Sequence, residues 1–137
     1  DLYGIGNATI NGGAGEDELN GDEGDDALLG GTDNDILNGH SGDDMLKGGE
    51  GDDILDAGVG LDKLYGGDGE DTFILNLGEG FATIYDFDIG EDILDFVDIG
   101  EVRMEYKDKN SLFYSGEDYL GVAKNVQLSR QEDNTFA

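Results

Sequence analysis

Aspartate recurs at a fixed nine-residue spacing through the first half of the chain, and these residues have the clearest capacity for chemistry. Each stands in a stretch close to Gly-Gly-x-Gly-x-Asp. The set comprises Asp17, Asp26, Asp35, Asp44, Asp53, Asp62 and Asp71. Carboxylates held at regular spacing repel one another unless a counter-charge lies between them. The spacing therefore indicates binding of multivalent cations.

The overall composition excludes several classes of function. The 137 residues include 34 Asp and Glu against 7 Lys and Arg, for a net charge of −27. This balance argues against binding of nucleic acid or of an anionic membrane through a basic patch. There is no cysteine, so disulfides and thiolate metal sites are excluded. No run of 18 apolar residues exists, and we expect no insertion into a membrane.

The nine-residue unit fills residues 3–74 as eight contiguous blocks. Position six is Asp in every block except the first, where Ala8 stands, and position eight is always apolar. The position-eight residues are Ile10, Leu19, Leu28, Leu37, Leu46, Leu55, Leu64 and Phe73. Because side chains alternate along a strand, each should point inward from a three-residue strand. The six residues before it should form a turn, in which glycines at positions one, two and four allow positive φ and close backbone approach.

One buried apolar side chain for every nine ordered residues does not offset the entropy lost on folding. The turns must therefore contribute stability. Some turns depart from the pattern, with Asp22 and His40 at position two, Asp33 at position four and Ala57 at position one. Asp tolerates the left-handed region better than most residues. We therefore expect the turn at Asp33 to survive and the sites to differ in strength.

The pattern resembles the RTX nonapeptide repeat, Gly-Gly-x-Gly-x-Asp-x-apolar-x, of secreted bacterial calcium-binding proteins. The resemblance covers residues 3–74. It implies an all-β fold, a right-handed parallel β-roll (a β-solenoid), in which two repeats make one coil. A β-rich C-terminal capping region is expected to follow. In RTX proteins, turns that neighbour each other on one edge share a calcium ion.

The resemblance thus predicts calcium ions between aspartates two repeats apart. One edge carries Asp17, Asp35, Asp53 and Asp71, and the other carries Asp26, Asp44 and Asp62. Ions are expected in the intervals 17/35, 35/53, 53/71, 26/44 and 44/62, with one or two more at the ends, for a total of about five to seven Ca²⁺. Carbonyls at positions two and four should complete the ligand sets. These residues are Gly13, Gly15, Gly24, Gly31, Asp33, Gly42, Gly49, Gly51, Gly58, Gly60, Gly67 and Gly69.

The remaining acids of the turns are expected to face water rather than bind an ion. They are Glu16, Asp25, Asp43, Asp52 and Glu70. An EF-hand is the rival type of calcium site, but its loop requires a Glu at position twelve and flanking helices. No segment of the chain meets that requirement.

The nine-residue period is lost after Ile74. Residues 81–96 resemble the segment that follows RTX arrays, with Ala82 where an Asp is usual. Asp86, Asp88 and Asp92 are expected to close the open end of the array, and Asp92 to bind a terminal ion. We expect two domains, a β-roll over 1–74 and a β-sandwich-like cap over 75–137.

Within this second half, alternating stretches predict antiparallel strands. They flank Lys109-Asn110, and a further strand follows the turn at 116–118. The aromatic residues are expected to pack within the cap rather than bind a ligand. They are Phe96, Tyr106, Phe113, Tyr114, Tyr119 and Phe136.

We expect no enzyme in this chain. His40 is the only histidine, and although Ser41 adjoins it, a third orienting group and a pocket would be required for nucleophilic catalysis. Carboxylate pairs suited to glycoside hydrolysis are numerous, but a solvated repeat offers no apolar pocket to raise one pKa. The sequence also contains no P-loop and no zinc-protease motif.

The resemblance implies a calcium-binding module that is unfolded without calcium and folds after secretion, stabilising a larger extracellular protein and assisting its export. Calcium and a type I secretion machinery would be its partners, and we expect a monomer at an extracellular or cell-surface location. The chain begins inside a repeat, so we expect a fragment of a longer protein, with a secretion signal within 131–137. Two alternatives stay open: an adhesion or surface-binding module with the roll as spacer or ligand-binding face, and the targeting module of a secreted enzyme or toxin.

Overall fold

The structure of the chain is a computed structural model that describes residues 1–3, 6–76, 81–97, 102–107, 110–115 and 118–124. Side chains are described up to residue 96 and at Lys124. The predictions made for Lys109, for residues 116–117, for Phe136 and for the segment 131–137 lie outside this part of the chain. Within the described ranges, no helix is long and apolar enough to cross a membrane.

All regular structure in the described residues is β-strand. The strands are β1 (Leu2–Tyr3), β2 (Thr9–Ala14), β3 (Glu18–Asn20), β4 (Ala27–Thr32), β5 (Ile36–Asn38), β6 (Met45–Glu50), β7 (Ile54–Asp56), β8 (Leu61–Asp68), β9 (Thr72–Asn76), β10 (Phe81–Ile84), β11 (Ile93–Val97), β12 (Val102–Lys107), β13 (Asn110–Ser115) and β14 (Asp118–Ala123).

The strands form two sheets, and the chain passes from one sheet to the other at each repeat. One sheet has the order β1-β3-β5-β7-β9-β11, and the other has the order β12-β13-β14-β10-β8-β6-β4-β2. Repeats pair in parallel with an offset of 18 residues, as in Leu28 with Leu46 and Leu37 with Leu55. Two repeats therefore make one coil, and the predicted parallel β-roll is confirmed.

A single line of apolar side chains separates the two sheets. From Leu19 to Phe73, every position-eight side chain is fully buried, and Ile10 at the end of the line is 8% exposed. The residues on either side of each one are more exposed, as the alternation along a strand requires. The core predicted from the repeat is confirmed.

The roll continues beyond the last clear repeat. β10 pairs in parallel with β8, placing Ala82 beside Asp62, and β11 pairs in parallel with β9, placing Leu94 beside Phe73. The buried residues Ile84, Phe87 and Leu94 extend the core, and the Phe87 ring lies 5.9 Å from that of Phe73. Residues 81–97 thus add one more coil, although their offsets from the preceding coil are 20 and 21 residues rather than 18.

The last three strands show the antiparallel pairing predicted from their alternating sequence. β12 pairs with β13, and β13 pairs with β14. The sequence did not predict that β14 would also pair in parallel with β10, which joins these strands to the eight-stranded sheet. The division of the chain at residue 74 remains a prediction about folding units.

A row of aromatic and basic side chains runs across the outer face of the eight-stranded sheet. The rings of Tyr65 and Tyr85 stack with centroids 4.9 Å apart and planes 9° apart. Lys47 Nζ lies 5.1 Å from the Tyr65 centroid, and Lys124 Nζ lies 4.4 Å from the Tyr85 centroid. This tyrosine–lysine row connects β6 and β8 of the repeats to the segments that follow β10 and β14.

Replacing Tyr85 by Ala should lower the free energy of unfolding of the calcium-saturated chain by about 1–3 kcal/mol, because one ring stack and one cation–π contact are lost. Urea unfolding in saturating calcium measures this. Tyr85→Phe retains the ring and should cost much less. Equal losses for the two variants would contradict a role for the ring.

Candidate metal sites

The position-six aspartates form two columns along the edges of the roll. In each column the backbone N–H of one aspartate donates to Oδ1 of the aspartate in the next coil, for example Asp35 to Asp53 at 2.8 Å. The long column consists of Asp17, Asp35, Asp53, Asp71 and Asp92, and the short column of Asp26, Asp44 and Asp62. Ala8 begins the short column, since its N–H donates to Asp26 Oδ1 at 2.6 Å.

The second carboxylate oxygen of these aspartates is left without a donor. Oδ2 is buried and has no hydrogen-bond partner in Asp26, Asp35, Asp44, Asp53 and Asp71. A buried acceptor without a partner is costly, and a buried charge without a partner is more so. The structure thus places an unsatisfied oxygen at the same point in successive turns.

Each of these oxygens lies beside the bare Cα of the position-one glycine in its own turn. A Cβ added to Gly39 would lie 2.6 Å from Asp44 Oδ2 and 2.6 Å from the carbonyl oxygen of Ala57 in the next coil. At Gly12 it would lie 2.8 Å from Asp17 Oδ2 and 2.8 Å from the Gly30 carbonyl oxygen. Two acceptors, one from each of two neighbouring coils, therefore lie against the same glycine. Oxygens of this kind are ligands for a cation, and Asp44 Oδ2 has no hydrogen-bond partner.

The arrangement recurs at all five intervals predicted from the sequence. Asp26 Oδ2 meets the Gly39 carbonyl, Asp35 Oδ2 meets the Gly48 carbonyl, and Asp53 Oδ2 meets the Gly66 carbonyl, each across a position-one glycine. The position-one glycines of these five intervals are Gly12, Gly21, Gly30, Gly39 and Gly48. Hard oxygen donors of this kind suit Ca²⁺. The sequence analysis did not include these position-one carbonyls; the close approach between coils is visible only in three dimensions.

The glycines at position one have a different role from those at positions two and four. Positive φ occurs at Gly13, Gly15, Gly24, Gly31, Gly42, Gly49, Gly51, Gly58, Gly60, Gly67 and Gly69. None of the position-one glycines is among them, so the expectation of positive φ there is wrong. A side chain at position one would instead collide with the aspartate. Asp33 adopts φ 76°, which confirms that its turn survives.

Several of the carbonyls predicted as ligands at positions two and four lie close to the corresponding residue of the next coil. A Cβ at Gly51 would lie 2.5 Å from the Asp33 carbonyl oxygen of the preceding coil. Some position-two carbonyls already accept hydrogen bonds, as His40 does from Val59 N at 2.8 Å. Their participation in metal binding remains a prediction. Among the described residues, no three carboxylate or imidazole side chains gather as a metal-binding group, so any ion needs backbone oxygens.

The position-five acids are exposed, as expected, yet they are also bonded to the backbone. Asp25 Oδ1 accepts from Asp43 N at 3.0 Å, and Asp52 Oδ1 accepts from Glu70 N at 3.0 Å. Asn34 does the same for Asp52 N at 2.9 Å. At position five an amide oxygen therefore accepts this hydrogen bond as well as a carboxylate oxygen does. Position six differs, because every repeat after the first has an aspartate there.

Burial makes the columns resist ionisation. Desolvation, opposed by backbone N–H donors and reinforced by neighbouring aspartates, raises the pKa of Asp44 to about 6. The same causes raise the pKa of Asp62 and of Asp71 to about 7. The pKa values of Asp35 and Asp53 are also raised, mainly by burial. A cation between the coils would oppose these effects and hold the carboxylates ionised.

The acids after the array occupy distinct positions. Asp92 extends the long column, because its Oδ1 accepts from Asp71 N at 3.1 Å, and its Oδ2 accepts from Asp88 N at 2.7 Å. Asp86 Oδ1 accepts from Gly66 N at 3.0 Å and so caps the edge of β8. Burial raises the pKa values of both Asp86 and Asp92. Binding of a terminal ion by Asp92 remains a prediction.

The family model of the RTX calcium-binding nonapeptide repeat matches the chain in four overlapping copies, at residues 3–37, 29–64, 38–73 and 47–81. The matched part exceeds half of the chain, and the chain belongs to this family. It is a calcium-binding repeat protein of the parallel β-roll type. A comparison with curated protein sequences gives no match.

The chain is similar to solved structures. The AlgE6R3 subunit of the Azotobacter vinelandii mannuronan C5-epimerase is 30% identical, with a TM-score of 0.50; the match covers 80% of this chain and 67% of that one. The extracellular lipase LipA from Serratia marcescens is 16% identical, with a TM-score of 0.47, over 96% of this chain and 38% of the lipase.

Proposed function

We propose that this chain is a calcium-dependent folding module, unordered without calcium and converted to the β-roll when Ca²⁺ fills the intervals of the two columns. The observation that carries the proposal is the repeated pairing of a buried, unpartnered Asp Oδ2 with a carbonyl oxygen of the next coil. About five to seven ions are expected, each taking oxygen ligands from two coils.

The physical basis is linkage between binding and folding. The columns bring buried carboxylates into register in a chain of net charge −27, which opposes compaction. Calcium supplies positive charge and is coordinated by the oxygens that the turns place between coils. Because the unfolded chain does not hold these oxygens together, binding stabilises the folded state by mass action. The position-eight leucines pack once the turns are closed.

The setting that suits such a module is extracellular. Calcium modules outside cells have dissociation constants of about 10⁻⁴–10⁻³ M, so the chain would stay unfolded and exportable inside a cell and fold outside. Membership of the RTX family supports secretion through a type I exporter, with a signal in residues 131–137. Folding outside the cell would prevent the chain from sliding back through the exporter. We propose that the module acts as a monomer.

We further propose that this part of the protein has no catalytic role and serves a larger extracellular protein. The hydrogen bonds of His40 and Ser41 lead to Asn20 Oδ1 and to the Asp22 carbonyl, which gives no catalytic pair. The similar AlgE6R3 subunit comes from an epimerase, in keeping with a module attached to another activity. An adhesive role is less well supported, because lysines cover the outer faces of the stacked Tyr65 and Tyr85 rings.

Small-angle X-ray scattering in calcium and in excess chelator tests the proposal. A compact chain of this length has a radius of gyration of about 14 Å, and an unfolded one about 38 Å. We expect a value near the lower figure, raised by the elongated roll, only in calcium. A compact chain in chelator at neutral pH would contradict the proposal.

A further inference from the structure

The two aspartate columns end differently at the C-terminal side of the roll. The long column passes from Asp71 to Asp92 through the same N–H to Oδ1 bond that joins its earlier members. The short column stops at Asp62, which accepts from Asp44 N at 2.9 Å. Since both columns lie in the same stack of coils, the difference must come from the residues around Asp62.

The first of these residues is Ala57, at position one of the Asp62 turn. Every other aspartate turn of the repeats has glycine there, and a Cβ at that glycine would lie within 2.8 Å of the aspartate Oδ2. Ala57 carries a real methyl group at this point and is 3% exposed. A Cβ at position one would clash with an Oδ2 oxygen placed as in the other turns. Asp62 Oδ2, unlike Asp44 Oδ2 in the preceding coil, is not a buried oxygen without a partner.

The second residue is Ala82, which lies beside Asp62 in the parallel register of β8 and β10. In the other intervals the corresponding residue of the next coil is an aspartate, whose Oδ1 accepts the N–H of its neighbour. Ala82 is buried and offers only a methyl group. Two alanines therefore stand where the other turns have a position-one glycine and an aspartate of the next coil.

At the end of the long column, both the position-one glycine and the aspartate of the next coil are present. Position one is Gly66, and a Cβ there would collide with Asp71 Oδ2. That oxygen is buried without a partner, and Asp71 is fully buried. Asp92 supplies the carboxylate of the following coil, 3.1 Å from Asp71 N.

We propose that Ala57 and Ala82 close the short column with methyl groups, so that no ion binds beyond Asp62, while the long column holds an additional calcium ion in the interval 71/92. The two edges of the roll then carry unequal numbers of ions. This inference rests on the proposed calcium binding and adds where each line of ions stops and which residues stop it.

Variants that exchange the residues at the ends of the two columns test the inference. The double variant Ala57→Gly/Ala82→Asp gives the short column the two groups it lacks, and Gly66→Ala puts the Ala57 methyl group into the long column. Gly66 does not have positive φ, so alanine introduces no backbone strain there. Calcium bound per chain is counted by equilibrium dialysis with radioactive calcium at saturation, and folding is checked by circular dichroism.

The double variant should bind one ion more than the original chain, and Gly66→Ala one ion fewer. Ala82→Asp alone should leave the count unchanged, because the Ala57 methyl group remains. An unchanged count in the double variant, its failure to fold in saturating calcium, or an unchanged count in Gly66→Ala would overturn the inference. If the original chain binds calcium, these failures leave the proposed function intact; absence of calcium binding by the original chain would overturn both.

Discussion

Replacing Asp53 by asparagine is expected to raise the calcium concentration at the folding midpoint about two- to threefold, since loss of a charge-assisted contact costs about 1.5–3 kcal/mol and this cost is shared among the roughly five ions whose binding drives folding. Asp53 lies in the middle of the long column. Its Oδ1 accepts from Asp35 N, a bond that an asparagine oxygen can keep, whereas its Oδ2 is buried without a partner. The substitution therefore removes mainly the oxygen that faces the next coil.

Asp52→Asn is the matched control, one residue away. Asp52 is exposed, and its Oδ1 accepts from Glu70 N. In the preceding coil the amide oxygen of Asn34 accepts from Asp52 N in the same way, so an asparagine is already tolerated at this position. Its midpoint should change little. Both variants lose one negative charge, so a general reduction in repulsion affects them equally. Equal midpoints for Asp52→Asn and Asp53→Asn in a calcium titration would contradict the assignment of position six as the ion-binding position.

Acid should partly replace calcium as the agent that folds the chain. In the metal-free roll, burial raises the pKa of Asp44 to about 6 and the pKa values of Asp62 and Asp71 to about 7, whereas an unfolded Asp has a pKa of about 4. A group whose folded pKa is raised contributes stability below its unfolded pKa and loses it as the pH rises through the folded pKa. The metal-free roll should thus gain stability from pH 7 down to about pH 4.

Circular dichroism in chelator measures this effect between pH 7.5 and pH 4.5, at low protein concentration because the sequence pI is about 4.1 and a chain without net charge associates. The triple variant Asp44→Asn/Asp62→Asn/Asp71→Asn cannot ionise at these positions. It should show a much weaker dependence on pH. A metal-free signal that stays constant over this range in the original chain would show that the buried carboxylates do not oppose folding.

The repeat itself was predictable because each position has one physical task. Position eight must be apolar to fill the narrow core, and Leu19 to Phe73 are all fully buried. Position six must be acidic, and those aspartates form the columns. The parallel roll, the 18-residue coil and the two edges follow from these two constraints once the resemblance supplies the coil. Nearly all of residues 3–74 could be described in this way.

The parts that sequence analysis missed depend on contacts between coils. The position-one carbonyls come next to the carboxylates only when coils stack, and no pattern within one repeat reveals it. The extra coil formed by β10 and β11 escaped detection because its offsets of 20 and 21 residues break the period. The parallel pairing of β14 with β10 joins residues about 40 positions apart, and local alternation predicts strands but not such partners.

The most direct test of the account is far-UV circular dichroism during a calcium titration, with magnesium in parallel. Magnesium requires near-ideal octahedral geometry and gives up its water reluctantly, so it fits poorly into sites whose ligands are carboxylates and carbonyls of two coils. We expect a cooperative gain of β signal with calcium and none with magnesium at the same concentration. A full β signal in excess chelator at neutral pH would show that packing alone holds the roll, and would contradict the claim that calcium binding supplies the free energy of folding.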